Sequence, residues 1–123
     1  MELEFATEKI KLQCKSEKEA KKLFGGDAVL ARSLLARINA FRGAENIKDI
    51  IVQPTFRFHA LKNKNGKDLE GYFAIDVKSI REAWRIILQP LNMDKQPYIP
   101  CNIDEIAVSV KIIEIVEVSK HYE

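Results

Sequence analysis

The side chains best suited to acid–base chemistry lie at two places in the sequence. Arg57 and His59 stand two residues apart in the middle, and His121 and Tyr122 stand near the C-terminal end. Histidine exchanges protons near neutral pH, and arginine can hold a phosphate through two parallel hydrogen bonds. If the fold brings both places together, they form a basic, histidine-bearing site of the kind that handles phosphodiesters.

Further cations accompany these residues. Arg85 falls in a later apolar stretch, and it can equally form an ion pair with a nearby acid. The acids that suit this pairing are Glu70, Asp76 and Glu114. Three lysines surround the turn after His59, namely Lys62, Lys64 and Lys67. They can bind a phosphate backbone or simply solvate a turn, and a strand histidine is more often structural than catalytic.

Helical patterns occupy the N-terminal third of the chain. Ser16 followed by Glu19 is a capping box, and it predicts a helix over Ser16–Phe24. Asp27 is a second N-cap, and the apolar residues after it recur at the helical period as far as Phe41. The two helices are expected to form a hairpin with one apolar side.

Strand patterns begin after Pro54, where the apolar period changes to two. This alternation predicts three strands joined by short connections, over Thr55–Leu61, Tyr72–Val77 and Trp84–Gln89. Arg57 and His59 then share one strand face. Because the connections are short, we expect neighbouring strands to be antiparallel.

An irregular, proline-containing loop is expected over Pro90–Asp104, followed by a long strand over Ile106–Val118. The alternation of this strand slips at Ile112-Ile113, which indicates a bulge or a centre buried on both faces. Leu3–Phe5 can add an edge strand. Helices followed by clustered strands indicate an α+β fold, a helical hairpin packed on a mainly antiparallel twisted sheet.

Composition sets the class of protein. The 123 residues suit one domain, residues 1–123, and 46% hydrophobic with 31% charged residues is typical of a folded globular chain. A formal net charge of +2 neither requires nor excludes nucleic acid. Cys14 and Cys101 lack metal-ligand spacing, so we expect no metal or cofactor. Without a membrane-length apolar run or a signal peptide, we expect a cytoplasmic protein.

The chain resembles the HigB-like killer proteins of the RelE/ParE toxin superfamily nearly from end to end. The stretches that carry the resemblance are Leu3–Ile10, Ala40–Asn46, Arg57–Lys62, Gly71–Ile75, Trp84–Ile87, Ile112–Val118 and His121-Tyr122. Many members end in Tyr-His, whereas this chain has the reverse order. Asp76 stands where some members carry a basic residue, and the nearby Arg81 is a substitute for it.

The resemblance implies a RelE-like fold and the toxin of a type II toxin–antitoxin system. Such a toxin is a metal-independent endoribonuclease that cleaves mRNA at the ribosome. Its partner is a helix-turn-helix antitoxin, and the complex contacts operator DNA only through that antitoxin. No membrane partner is implied. The implied catalytic residues are His59, Arg85, His121 and Tyr122. The implied substrate-binding residues are Arg57, Lys62, Lys64, Lys67 and Arg81.

The implied reaction is attack of a ribose 2′-hydroxyl on the adjacent phosphate. It needs a base, an acid and a cation, for which Arg85 is the expected phosphate-stabilising residue. His59 and His121 compete for proton transfer, and Tyr122 can replace one of them or stack on a base. Two alternatives stay open: a ParE-like, non-catalytic inhibitor of a DNA topoisomerase, and a non-catalytic RNA-binding regulator.

Overall fold

The computed structural model of the chain describes residues 1–63, 66 and 68–122. Over these residues the fold is α+β, with five α-helices and one mixed, open sheet of five strands. The helices are α1 (Glu8–Lys15), α2 (Glu17–Leu23), α3 (Ala28–Gly43), α4 (Lys48–Ile51) and α5 (Ile103–Ile106). The strands are β1 (Glu2–Phe5), β2 (His59–Ala60), β3 (Phe73–Asp76), β4 (Arg85–Leu91) and β5 (Ile112–Ser119).

The sheet has the strand order β1-β5-β4-β3-β2. Strands β2 to β5 pair with their neighbours in antiparallel fashion, as predicted, whereas the edge strand β1 runs parallel to β5. The predicted edge strand at Leu3–Phe5 is therefore confirmed. Among the described residues, no helix has the length and apolar character needed to span a membrane.

Both predicted helix starts are confirmed by their capping bonds. The Ser16 hydroxyl accepts a hydrogen bond from the Glu19 backbone N–H at 3.3 Å. The Asp27 carboxylate accepts bonds from the two N–H groups of Val29 and Leu30, each at 3.0 Å. These bonds satisfy backbone donors that have no partner within a helix. Helix α1 was not predicted, although Thr7 caps it in the same way.

The core lies between the helices and one face of the sheet. The apolar side of α3 is buried against strand residues that alternate along β3 and β4. The helix contributes Leu30, Ala31, Leu34, Ile38 and Phe41, and the strands contribute Phe73, Ile75, Ile86 and Leu88. Since strand side chains alternate, the residues between them point to the other face of the sheet. That second face is not covered by this core.

The predicted strand Thr55–Leu61 is wrong in its first half. Pro54–Phe56 is a 3₁₀ turn, and only His59–Ala60 pairs with β3. Proline favours the first position of a helical turn because its φ is fixed and it lacks an N–H. Arg57 ends the turn in the left-handed conformation, with φ 52°. Arg57 and His59 therefore do not share a strand face.

The predicted boundaries around the last strand are also wrong. β4 continues to Leu91, α5 occupies part of the predicted loop, and β5 begins at Ile112 instead of Ile106. The slip at Ile112-Ile113 reflects burial on both faces, because both side chains are buried. The irregularity lies further on: Ile87 pairs with Glu117 and Leu88 with Ile115, so Val116 is the extra residue.

The two cysteines are free thiols in different surroundings. Cys14 lies in the core, and burial raises the pKa of its thiol to about 12. Cys101 is half-buried, and burial raises its pKa as well.

Because the thiolate is the reactive form, we expect a water-soluble thiol reagent at pH 8 to modify Cys101 first. Cys14 should react only as fast as the chain unfolds, and rapid modification of both thiols in the folded protein would contradict this expectation.

Candidate functional site

The sheet face turned away from the helices carries its polar residues in rows. Residues that pair directly across neighbouring strands point to the same side. Asp76 pairs with Arg85, which pairs in turn with Ser119. His59 pairs with Ala74 in the adjacent row. We call this surface the open face.

Asp76 lies at the centre of a buried ion-pair cluster on the open face. Its carboxylate is almost fully buried and accepts hydrogen bonds from Arg57 Nε at 3.0 and 3.1 Å and from Arg57 Nη2 at 2.9 Å. Arg85 Nε lies 3.1 Å from the same carboxylate. The ion pair of Arg85 with a nearby acid is thereby confirmed, and the acid is Asp76.

Arg85 is held on several sides. Its side chain is only 8% exposed, compared with 33% for Arg57. Arg85 Nη1 also donates to the backbone oxygens of Glu82 and Trp84, the latter at 2.9 Å. These contacts fix the guanidinium among protein acceptors at the start of β4.

Arg37 is a residue of this region that sequence reasoning missed. From α3, its Nε donates to the Asp76 carbonyl at 3.0 Å, and its Nη2 donates to the Thr55 carbonyl at 3.3 Å. Its guanidinium also stacks over the Phe56 ring, 4.2 Å from the centroid. Burial lowers the pKa of Arg37, and the Asp76 charge opposes that shift. The pattern placed Arg37 off the apolar helix face, and no local signal indicates its distant partners.

His59 is oriented by the turn that precedes it. Its Nδ1 lies 2.7 Å from the Arg57 carbonyl oxygen. Since a carbonyl can only accept a hydrogen bond, we assign the proton to Nδ1 and the lone pair of the neutral ring to Nε2. Nε2 is shielded from water and has no hydrogen-bond partner among the described residues. The ring therefore has an unused proton acceptor.

A cavity of about 350 Å³ adjoins this histidine, and we call it the histidine cavity. Its described lining includes His59, Lys62 and Tyr122. Tyr122 packs against a small apolar cluster on the open face, formed by Leu61, Leu69, Ala74 and Ile87. The C-terminal segment thus returns to the middle of the sheet, as expected for a site made from both parts of the chain.

The other predicted site residues lie elsewhere. His121 is exposed and does not line this cavity, and its backbone N–H donates to the Ser119 hydroxyl at 3.0 Å. Arg81 is exposed in the connection between β3 and β4. Lys64 and Lys67 lie outside the described residues. Within the described part of the chain, no three His, Cys, Asp or Glu side chains form a group that could hold a metal ion.

Comparisons of the chain with protein-family models, with curated proteins and with solved structures find no match.

Proposed function

We propose that this protein is a RelE-like toxin that cleaves mRNA and is neutralised by a helix-turn-helix antitoxin. The sequence resemblance suggests this class, and the order of an opening strand, helices, three strands and a closing strand is compatible with it. The observation that carries the proposal is the position of His59, which lines the histidine cavity together with Lys62 and Tyr122 and whose Nε2 has no partner in the described part of the chain.

In the proposed reaction, RNA binding uncovers His59 Nε2, which is shielded in the free protein, and Nε2 accepts the proton of a ribose 2′-hydroxyl. The 2′-oxygen forms a bond to the adjacent phosphorus, and the bond from phosphorus to the 5′-oxygen breaks. The Tyr122 hydroxyl donates a proton to the departing 5′-oxygen. The products are a 2′,3′-cyclic phosphate and a 5′-hydroxyl end. Lys62 provides positive charge for the phosphate as it becomes crowded.

Arg85 is a positioning residue in this proposal. It holds Asp76, and Asp76 holds the Arg57 side chain through the bonds described above. The Arg57 carbonyl then fixes the His59 ring. Loss of either charged partner is expected to disturb the orientation of the proposed base.

One observation favours a second function, RNA binding without cleavage. Asp76 engages both Arg57 and Arg85, the two arginines expected to hold phosphate. Because the Asp76 carboxylate neutralises part of this positive charge, less of it is left to stabilise a transition state. Under this alternative, the open face would bind RNA and leave it intact.

Expression in a bacterial host separates the candidate functions. We expect the wild-type chain to arrest growth, with protein synthesis stopping before DNA synthesis, and co-expression of a helix-turn-helix protein encoded by an adjoining gene to restore growth. His59→Ala, expressed to the same level, should be harmless. Early loss of DNA synthesis would indicate the topoisomerase alternative, and harmless expression of folded wild-type protein would count against any toxin.

A further inference from the structure

A second cavity lies on the open face, beyond the row that contains His59. Its volume is about 460 Å³, and its lining includes Tyr72, Tyr98, Glu70 and Gln89. Tyr72 is two residues from Ala74, and Gln89 is two residues from Ile87, so both belong to the open face. We call this space the tyrosine cavity. Its volume falls within the range of about 300–1,000 Å³ typical of small-molecule sites.

A groove of about 760 Å³ links the tyrosine cavity with the histidine cavity through shared lining residues. It shares Ala60, Leu61, Lys62 and Asn63 with the histidine cavity. It shares Glu70, Gly71, Tyr72, Pro100 and Cys101 with the tyrosine cavity. An RNA segment that occupied both cavities would have to follow this groove.

The polar groups of the tyrosine cavity are suited to hydrogen-bond donors. Among the described residues, its lining holds the two carboxylates of Asp68 and Glu70 and no Lys or Arg, which disfavours a phosphate. Asp68 already accepts a bond from the Glu70 backbone N–H at 3.0 Å. Glu70 is exposed and lines the cavity together with Cys101.

The aromatic groups of the cavity are suited to a flat ligand. Tyr72 and Tyr98 both line the cavity, and tyrosine rings can stack on a base, as in proteins that bind single-stranded RNA. Burial raises the pKa of Tyr98, so its hydroxyl keeps its proton at neutral pH. A carboxylate that accepts two parallel hydrogen bonds matches the Watson–Crick edge of guanine, where N1–H and the 2-amino group donate side by side.

We propose that the tyrosine cavity binds a guanine base of the RNA whose backbone passes the histidine cavity, with Glu70 accepting from the guanine edge and a tyrosine ring stacked on it. This inference rests on the proposed function, since it assigns a base preference to the same ribonuclease. Because the described lining of the tyrosine cavity contains no Lys or Arg, the phosphates of the RNA are expected to lie beside Lys62 in the histidine cavity.

Nucleoside binding tests this inference without the need for cleavage. The full chain is titrated with guanosine, inosine, adenosine and cytidine, and the amide resonances of the cavity residues are followed by NMR. We expect guanosine to bind most tightly and inosine, which lacks the 2-amino group, about tenfold more weakly. Glu70→Gln should reduce guanosine binding to the level of adenosine. The matched control, Glu105→Gln, changes an exposed glutamate outside the cavity and should have no effect.

Equal binding of the four nucleosides, or shifts confined to other surfaces, would overturn the inference. So would a proline-rich, basic peptide that binds the cavity while guanosine does not. A different result would contradict the proposed function. Preference for guanosine without RNA cleavage would support the base site and contradict the nuclease, whereas cleavage without any base preference would support the nuclease and contradict the base site.

Discussion

Replacement of Asp76 by alanine is expected to lower the free energy of unfolding by about 3–5 kcal/mol. The carboxylate is buried between two guanidinium groups, and its removal takes an ion-pair partner from Arg85, whose side chain is only 8% exposed. The same carboxylate joins the turn before β2 to β4, so its loss also removes the bonds that it accepts from Arg57. Chemical denaturation followed by circular dichroism measures the change.

Asp104→Ala is the matched control for this experiment. Asp104 is exposed in α5 and caps no helix, so its removal should change stability by less than about 0.5 kcal/mol. Asp76→Asn tests the charge separately, because an amide of similar shape can keep at most part of the bonds to the arginines. A free energy of unfolding for Asp76→Ala within about 1 kcal/mol of the wild-type value would be far below the loss expected for a broken buried ion pair. It would show that the cluster does not hold the site together.

Replacement of His59 by alanine is expected to lower the rate of RNA cleavage by about 10²–10⁴-fold, with the fold unchanged. The ring is partly exposed and lies at the edge strand β2, so its removal leaves the main core intact. In the proposed reaction it is the base for the 2′-hydroxyl, and no other histidine lines the described cavity. Single-turnover cleavage, with thermal unfolding on the same samples, gives the two readouts.

His121→Ala provides the matched histidine deletion. Because His121 is exposed and outside the histidine cavity, its loss should lower the rate by less than about tenfold. Full activity of folded His59→Ala would remove His59 from the mechanism. A large loss in His121→Ala would then transfer the acid–base role to the C-terminal histidine, which the resemblance also implies.

Local signals in the sequence were sufficient for the parts of the fold that depend on neighbouring residues. Ser16 and Asp27 cap the helices that they predict, and alternation identifies β3 and the start of β4. The same alternation wrongly predicted a strand over Thr55–Phe56. Alternation does not reveal a 3₁₀ turn or the left-handed conformation of Arg57, which ends the turn.

The candidate site depended on contacts that no local pattern contains. The pairing of Arg85 with Asp76 is one of the three ion pairs that the sequence left open. The contacts of Arg37 from α3 were not predicted. Its acceptors are the backbone carbonyls of residues that lie 18 to 41 positions away along the chain, and no local pattern indicates them. The parallel pairing of β1 with β5 likewise joins the two ends of the described chain.

The most direct test of the account is the chemistry of the RNA ends after incubation with the purified protein and ribosomes programmed with a defined mRNA. The proposed reaction leaves a 2′,3′-cyclic phosphate on one fragment and a 5′-hydroxyl on the other, and it makes no cut where a single 2′-deoxynucleotide replaces the attacking ribose. Intact mRNA in the presence of folded wild-type protein, or fragments that end in a 5′-phosphate, would contradict it.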